Sequence, residues 1–338
     1  MRQQVLVTGG AGYIGTHTCI ELLANDYDIV VVDNFSNSKP AALSRVQKIA
    51  GRDFVWYEAD LRDRIAIERI FAKHKFCGVL HCAGLKSIDR AERDPLRCYE
   101  NNLEASISLI ETMQRHDVKR MVFSSSATVY GESARVPYRE ESPLAPNTVY
   151  GRSKMMVETL LHDLVHADES WNIAILRYFN PVGAHSSGLI GEDPDGVPGN
   201  LMPYICQVAV GKLNHLSIFG HDYPTPDGTG VRDYVHVMDL AQGHFKALRQ
   251  LSESPGLLTV NLGAGRGYSV LEVVRAFEAA SGRKVPYRFA PRRPGDIGSY
   301  YADVTRATEV LNWRAQRGLL EMCVDSWRWQ SQNPDGYV

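Results

Sequence analysis

The chain has 338 residues, 44% of them apolar and 22% charged, a composition that excludes a disordered or collagen-like chain. Its 37 basic and 39 acidic residues nearly balance, so neither a nucleic-acid nor a membrane-surface partner is expected. The six cysteines are scattered without metal-site spacing, and no signal-like or membrane-spanning apolar run occurs. We therefore expect a cytoplasmic protein that holds no metal.

Short apolar runs alternate with helix-length segments through the first half of the chain. The runs at 5–7, 29–32, 78–80, 120–123 and 173–176 are too brief for helices and are typical of buried parallel strands. Helix-length segments lie between them at 13–24, 64–73, 102–115 and 150–166. This alternation predicts an α/β fold with a doubly wound parallel sheet of the Rossmann type.

After residue 180 the sequence becomes rich in glycine and proline, with shorter candidate elements at 201–210, 237–248, 259–262 and 270–280. We expect a smaller C-terminal α/β lobe there, with a boundary near residue 178. The sequence leaves open whether some of these segments return to the first lobe.

Three glycines, Gly9, Gly12 and Gly15, follow the first predicted strand and open the first predicted helix. Glycines so placed let the backbone approach a diphosphate, which the helix N-terminus then binds. Asp33 ends the second strand, where a carboxylate can accept from the adenosine ribose and would repel a 2′-phosphate. The pattern predicts an NAD site; the alternative is a glycine-rich helix cap followed by a surface aspartate.

Tyr150 and Lys154 are four residues apart and therefore share one face of a predicted helix. Ser126 follows the strand at 120–123, and ligands of open parallel sheets bind beyond the carboxyl ends of strands. Removing a proton from an alcohol requires a base near neutral pH, whereas free tyrosine titrates near ~10. Lys154, together with a positive nicotinamide, is expected to lower that pKa, with Ser126 holding the same hydroxyl.

Several segments resemble the UDP-glucose 4-epimerase family, in the extended branch of the short-chain dehydrogenase/reductase superfamily. They lie at 9–15, 83–86, 124–131, 176–184, 222–225 and 228–234. The resemblance implies bound NAD, oxidation of a UDP-hexose at its 4-hydroxyl, rotation of the ketone and reduction from the other face. It also implies a homodimer, an NAD-binding domain over 1–178 and a UDP-sugar-binding domain over 179–338.

The resemblance assigns roles residue by residue. The catalytic trio is Ser126, Tyr150 and Lys154. The cofactor contacts it implies, besides Tyr150 and Lys154, are Gly9, Gly12, Tyr13, Ile14, Gly15, Asp33, Asn34, Asp60, Leu61, Cys82, Ala83, Gly84, Lys86, Asn101 and Tyr178. The substrate contacts it implies, besides Ser126, are Phe179, Asn180, Asn200, Leu201, Phe219, Arg232, Arg293, Asp296 and Tyr300.

Two alternatives belong to other classes: a related nucleotide-sugar epimerase or dehydratase, and a non-catalytic NAD-binding sensor. Dehydratases of this branch carry Asp-Glu after the serine or threonine, where this chain has Ala127 and Thr128. A sensor would be expected to lose part of the trio. The stretch 87–91 departs from the family pattern beside the nicotinamide. Tyr300 is either a gate beside the sugar 2-substituent or a packed aromatic.

Overall fold

A computed structural model of the protein describes residues 2–132, 135–194, 196–293 and 296–338. Within those ranges the strands are β1 (Gln4–Thr8), β2 (Asp28–Asp33), β3 (Val55–Glu58), β4 (Phe76–His81), β5 (Arg120–Ser124), β6 (Asn172–Tyr178), β7 (Asn180–Val182), β8 (Leu216–Phe219), β9 (Val231–Arg232), β10 (Tyr234–His236), β11 (Leu257–Leu262), β12 (Tyr268–Ser269), β13 (Tyr287–Ala290) and β14 (Ser299–Tyr300). The α-helices are α1 (Tyr13–Ala24), α2 (Pro40–Ala50), α3 (Arg64–Lys73), α4 (Ile88–Arg93), α5 (Pro95–Tyr99), α6 (Ala105–Arg115), α7 (Val149–Ala167), α8 (Leu201–Ala209), α9 (Val237–Glu253), α10 (Val270–Ser281), α11 (Thr305–Leu311) and α12 (Leu319–Gln332).

Seven strands form one parallel sheet in the order β11-β6-β5-β4-β1-β2-β3. The centres of β1, β2 and β6 are fully buried because helices cover both faces, which explains their unbroken apolar runs. The predicted doubly wound fold is confirmed. Strand order reverses between β1 and β4, so a ligand crevice is expected at the carboxyl ends of these strands.

The helix predicted from residue 102 begins differently. A π-helical turn at Glu100–Glu104 joins α5 to α6, which starts only at Ala105. Such turns insert an extra residue and are frequent at functional sites. Apolar periodicity does not distinguish them from α-helix.

The smaller lobe has its own apolar cluster, drawn from α8, β8, α10 and α12. The chain beyond residue 178 nevertheless returns to the first lobe. Strand β11 pairs with β6 at the edge of the large sheet, and helix α9 packs against α1. The division into domains at residue 178 stays a prediction.

Candidate active site

The turn after β1 leaves no room for side chains at two of its glycines. Gly9 has φ +66°, and a Cβ there would lie 2.6 Å from the backbone nitrogen of Ala83. A Cβ on Gly15 would lie 2.2 Å from the carbonyl oxygen of Gly9. Gly12 precedes α1 and offers no side-chain cap, so the first-turn N–H groups face outward. The turn is therefore shaped for close approach of an anionic group.

Asp33 ends β2 and braces this turn. Its Oδ2 accepts from the Ala11 N–H at 3.0 Å, and its Oδ1 accepts from the Phe35 N–H at 2.9 Å and the Ser38 hydroxyl at 2.8 Å. Burial raises the pKa of this carboxyl. Three bonds leave acceptor capacity for a ribose hydroxyl, since a carboxylate offers about four positions.

Polar groups line an open cleft of about 540 Å³ beside Asp33. Asn34 donates to Asp60 Oδ2 at 2.9 Å, and the Arg62 guanidinium grips the same carboxylate, which holds its pKa far below the usual range. Leu61 is buried in the core. The Asn101 amide donates to the Arg97 carbonyl of α5 at 2.8 Å. Arg62 was not among the predicted residues.

The turn after β4 carries Cys82, Ala83 and Gly84, the last with φ +155°. Asn102, within the π-helical turn, holds this loop by accepting from the Leu85 N–H at 2.7 Å and donating to the Leu85 carbonyl at 3.0 Å. It also donates to the Ser153 hydroxyl of α7 at 2.9 Å. The cofactor turn and the helix of Tyr150 are thus joined by one side chain, which the sequence predictions omitted.

The predicted trio comes together at the carboxyl ends of β4 and β5. The Tyr150 hydroxyl lies close enough to the Ser126 side chain for the two to interact, and Lys154 Nζ lies 6.0 Å from the Tyr150 ring centroid. Lys154 donates to the Ser124 carbonyl at 2.9 Å. Thr148 is the N-cap of α7 and accepts from a first-turn N–H, which fixes the start of the helix at Val149, one residue before Tyr150.

Burial dominates the ionisation of this pair. It raises the pKa of Tyr150 to about 12 and lowers that of Lys154 to about 8. The lowering of the Tyr150 pKa is expected from Lys154 together with a bound, positive nicotinamide, so it stays a prediction for the protein with its cofactor.

Behind the trio, Ser124 lies between Tyr178 and His244. The Tyr178 hydroxyl interacts with Ser124, whose Oγ lies 2.9 Å from His244 Nε2. Ser124 Oγ also lies 3.3 Å from the thiol sulfur of Cys82. Burial raises the pKa of the Cys82 thiol to about 11, so it stays protonated at neutral pH.

Four predicted substrate residues cluster at the smaller lobe. The Arg293 guanidinium stacks 4.9 Å from the centroid of Phe219 and donates to both oxygens of Asp296, at 2.9 and 3.3 Å. Arg232 lies 3.8 Å from the same carboxylate. Asn180 belongs to β7, where its N–H donates to the Asp233 carbonyl at 3.0 Å.

Tyr300 connects the smaller lobe to the trio. Its hydroxyl donates to the carbonyl of Ala127, the residue after Ser126, and its ring centroid lies 5.2 Å from that of Phe179. The side chain is only 8% exposed. Tyr300 is packed in the core and also lies next to the trio, so both of the predicted interpretations of this residue stay open.

The comparisons decide the family. The model of the NAD dependent epimerase/dehydratase family matches residues 5–263. The chain belongs to this family. A UDP-glucose 4-epimerase of Bacillus subtilis (strain 168) is 58% identical over 333 residues, covering 98% of both chains.

Solved structures of the family agree with this assignment. The UDP-glucose 4-epimerase of Bifidobacterium longum, in complex with NAD+ and UDP, is 49% identical with a TM-score of 0.96 over 99% of this chain and 100% of that one. That of Stenotrophomonas maltophila, with bound NAD and formylated UDP-arabinopyranose, is 47% identical with a TM-score of 0.97, covering 98% and 99%. The predicted family resemblance is confirmed.

The residues around the glycine turn are also compatible with the NAD of this family. Tyr13 donates its hydroxyl to the Gly183 carbonyl at 2.7 Å, and Ile14 packs partly buried on the core. Lys86 Nζ lies 5.8 Å from the Tyr13 ring centroid. Three features fit a dinucleotide: the close backbone approach at Gly9 and Gly15, the Asp33 carboxylate beside the turn, and the α1 N-terminus without a side-chain cap.

Glu192 is a further residue at the candidate site that the predictions omitted. It receives a hydrogen bond from Lys86 and one from Asn200, which precedes Leu201 at the start of α8. Its position on a loop between the lobes leaves no periodic signal in the sequence.

In the described ranges, no three His, Cys, Asp or Glu side chains come together in a way that could hold a metal ion. No helix among those same residues is long and apolar enough to span a membrane.

Proposed function

We propose that the protein interconverts UDP-glucose and UDP-galactose by NAD-dependent inversion at C4 through a 4-keto sugar, with the cofactor retained between turnovers. The observation that carries this proposal is the convergence of Ser126, Tyr150 and Lys154 beside the glycine turn. Similarity to UDP-glucose 4-epimerases over nearly the whole chain supports it.

NAD, when bound, accepts and returns the hydride at C4 of the sugar. The chain's own part is to hold it. The N–H groups at the start of α1 would bind the diphosphate, and Asp33 would accept from the adenosine ribose. Lys86 and Tyr178 would contact the nicotinamide end.

Tyr150 would take the proton from the sugar 4-hydroxyl and later return it. Its hydroxyl lies beside Ser126, which would hold the same substrate oxygen. Lys154 is fixed on the Ser124 carbonyl and would stabilise the phenolate by its charge. In so buried a site, that charge counts for more than in water.

The smaller lobe would hold the UDP moiety. Arg232 and Arg293 can each present a planar guanidinium to a phosphate or ribose, and the Phe219 ring offers a face for the uracil. Asp296 aligns both arginines before the ligand arrives. This assignment, and the two-domain division, are part of the proposal.

A homodimer is also proposed, as the family resemblance implies. Three neighbouring helices expose large apolar side chains: Ile88 on α4, Leu96 on α5 and Met156 on α7, at 41%, 73% and 41%. Such a patch favours association. Sedimentation equilibrium should give twice the monomer mass, and a monomer for Leu96→Asp; a monomeric unmodified protein would refute the dimer.

The experiment that tests the function is product analysis. Purified protein incubated with UDP-galactose should produce UDP-glucose, and the same mixture should form from either sugar. A 4-keto-6-deoxy sugar would identify a dehydratase instead. Dinucleotide binding with no sugar product would favour the sensor.

A further inference from the structure

Helix α7 presents three polar side chains, spaced four residues apart, to the serine segment, residues 124–126 at the end of β5. Tyr150 and Lys154 are the first two, and both belong to the trio. The third is Glu158, which accepts a hydrogen bond from the Ser125 hydroxyl. Residues at this spacing share one face of a helix. The face that carries the trio therefore continues for one more turn and contacts the same segment there.

The Glu158 carboxylate is held in place by Arg177, near the end of β6. The guanidinium donates from Nε to both carboxylate oxygens at 3.1 Å and from Nη2 to Oε2 at 2.7 Å. Its Nη1 donates to the Tyr130 hydroxyl at 3.1 Å and to the Glu140 carbonyl at 2.9 Å. Glu158 and Arg177 are only 1% and 4% exposed. The carboxylate is thus a fixed acceptor for the serine hydroxyl.

Ser125 is fully buried and is held from two sides. Its N–H donates to the Leu176 carbonyl of β6 at 2.9 Å, and its hydroxyl donates to the carboxylate on α7. Its neighbours in the chain belong to the site: the Ser124 carbonyl holds Lys154, and Ser126 is a member of the trio. A displacement of Ser125 would therefore move both neighbours with it.

We infer that Glu158 is a positioning residue for the proposed reaction, because through the Ser125 hydroxyl it sets where the serine segment lies against α7. The inference rests on the proposed function, since it takes Ser126, Tyr150 and Lys154 as the groups that act on the sugar. Glu158 acts through Ser125 and needs no contact with the substrate. Small displacements of reacting groups reduce the rate of the chemical step strongly. The UDP moiety, which the smaller lobe would hold, should bind as before.

Ser125→Ala tests this most cleanly, because it removes one hydroxyl and leaves the pair of Glu158 and Arg177 intact. We expect kcat for UDP-galactose to fall about tenfold, as misplaced reacting groups would cause. The KM and the affinity for UDP, measured by calorimetry, should stay nearly unchanged. Ser108→Ala is the matched control, since it removes a hydroxyl from a serine on α6 that is 1% exposed, and it should keep the normal kcat.

Two variants of Glu158 separate positioning from stability. Glu158→Leu removes the acceptor and should lose kcat as Ser125→Ala does. Glu158→Gln can accept from Arg177 through its oxygen and donate to the Ser125 oxygen through its nitrogen, so it should recover most of that kcat. Both variants leave the buried arginine without a carboxylate, so both should unfold at lower urea concentrations. If Glu158→Leu does not fold, Ser125→Ala carries the test.

An unchanged kcat in Ser125→Ala would overturn the inference. Equal losses of kcat in Glu158→Gln and Glu158→Leu would also overturn it, because activity would then follow stability rather than the hydrogen bond to Ser125. An unmodified protein that neither binds UDP nor converts UDP-galactose would instead overturn the proposed function, and the inference with it.

Discussion

Lys154 donates its ammonium group to the carbonyl oxygen of Ser124, the last residue of β5, at 2.9 Å. The bond ties the middle of α7 to the carboxyl edge of the sheet. Because Tyr150 lies one turn earlier on the same helix, its hydroxyl is brought to Ser126 just beyond that strand. The sheet edge, rather than a flexible loop, therefore sets the geometry of the trio.

Tyr150→Phe should reduce turnover of UDP-galactose by about 10²- to 10⁴-fold, the usual contribution of a general acid–base group. The ring stays packed, so the fold and UDP binding should persist. Steady-state kinetics with calorimetry of UDP measures both. Tyr287→Phe, which changes an exposed tyrosine on β13, is the control and should leave activity unchanged. Turnover of Tyr150→Phe within a few-fold of the unmodified protein would assign the proton transfer elsewhere.

Tyr300→Cys should extend activity to UDP-N-acetylglucosamine, on which the unmodified protein should have little. The phenol packs against Phe179 and bonds to the Ala127 carbonyl, so removing it opens space beside the trio. A keto-sugar that must turn in the pocket needs that space for an N-acetyl group. Measuring kcat/KM on both sugar pairs decides it. Comparable efficiency of the unmodified protein on the two pairs would show that Tyr300 is only a packed aromatic.

Arg177→Ala should destabilise the protein by about 3–5 kcal/mol, because it leaves a buried carboxylate without its partner. Arg177 and Glu158 pair at 2.7 Å with side chains only 5% and 2% exposed. Urea unfolding gives the free energy. Arg249→Ala breaks an exposed pair with Glu253 and should cost under about 1 kcal/mol. Equal losses for the two variants would contradict the assigned role of burial.

Stability should fall as the pH is lowered from 7 to 5. Burial lowers the pKa of His17 and His81 to about 3 and of His244 to about 4, whereas unfolded histidine titrates near ~6.5. Below that value only the unfolded state takes up these protons, so each histidine costs roughly 2 kcal/mol by pH 5. Asp233, whose pKa burial raises to about 6, acts in the opposite direction, but its effect by pH 5 is smaller than that of the three histidines together.

Urea unfolding at the two pH values measures this loss. His17→Gln, which cannot take up a proton, should reduce it by about a third. A free energy of unfolding that is the same at pH 5 and pH 7 would contradict the assignment of neutral buried histidines.

Local sequence pattern was enough to predict a parallel sheet and five of the seven strands described in it. Apolar runs too short for helices, alternating with helix-length segments, allow few arrangements other than a parallel sheet with crossovers. The Gly9 turn and the spacing of Tyr150 and Lys154 are also local. The parallel sheet brings the turn after β1 and the end of β5, where Ser126 lies, to the same edge. The return of β11 to the sheet could not be predicted in this way, since it depends on contacts distant in sequence.

Two of the residues missed in the site, Asn102 and Glu192, act through partners far along the chain. Asn102 reaches Leu85 and Ser153 from a π-helical turn, and Glu192 reaches Lys86 from a loop of the other lobe. The ionisation of Tyr150 in the protein alone was also beyond the reach of the sequence. A sequence shows a lysine four residues away, but not how completely both groups are removed from water.

The most direct test of the central proposal is steady turnover of UDP-galactose by the purified protein with no NAD added. The protein should convert many equivalents of sugar per site, and no NADH should accumulate in solution, because inversion at C4 has no net redox change. Consumption of added NAD in step with sugar oxidation, and NADH accumulating in the same proportion, would contradict an epimerase and identify a dehydrogenase.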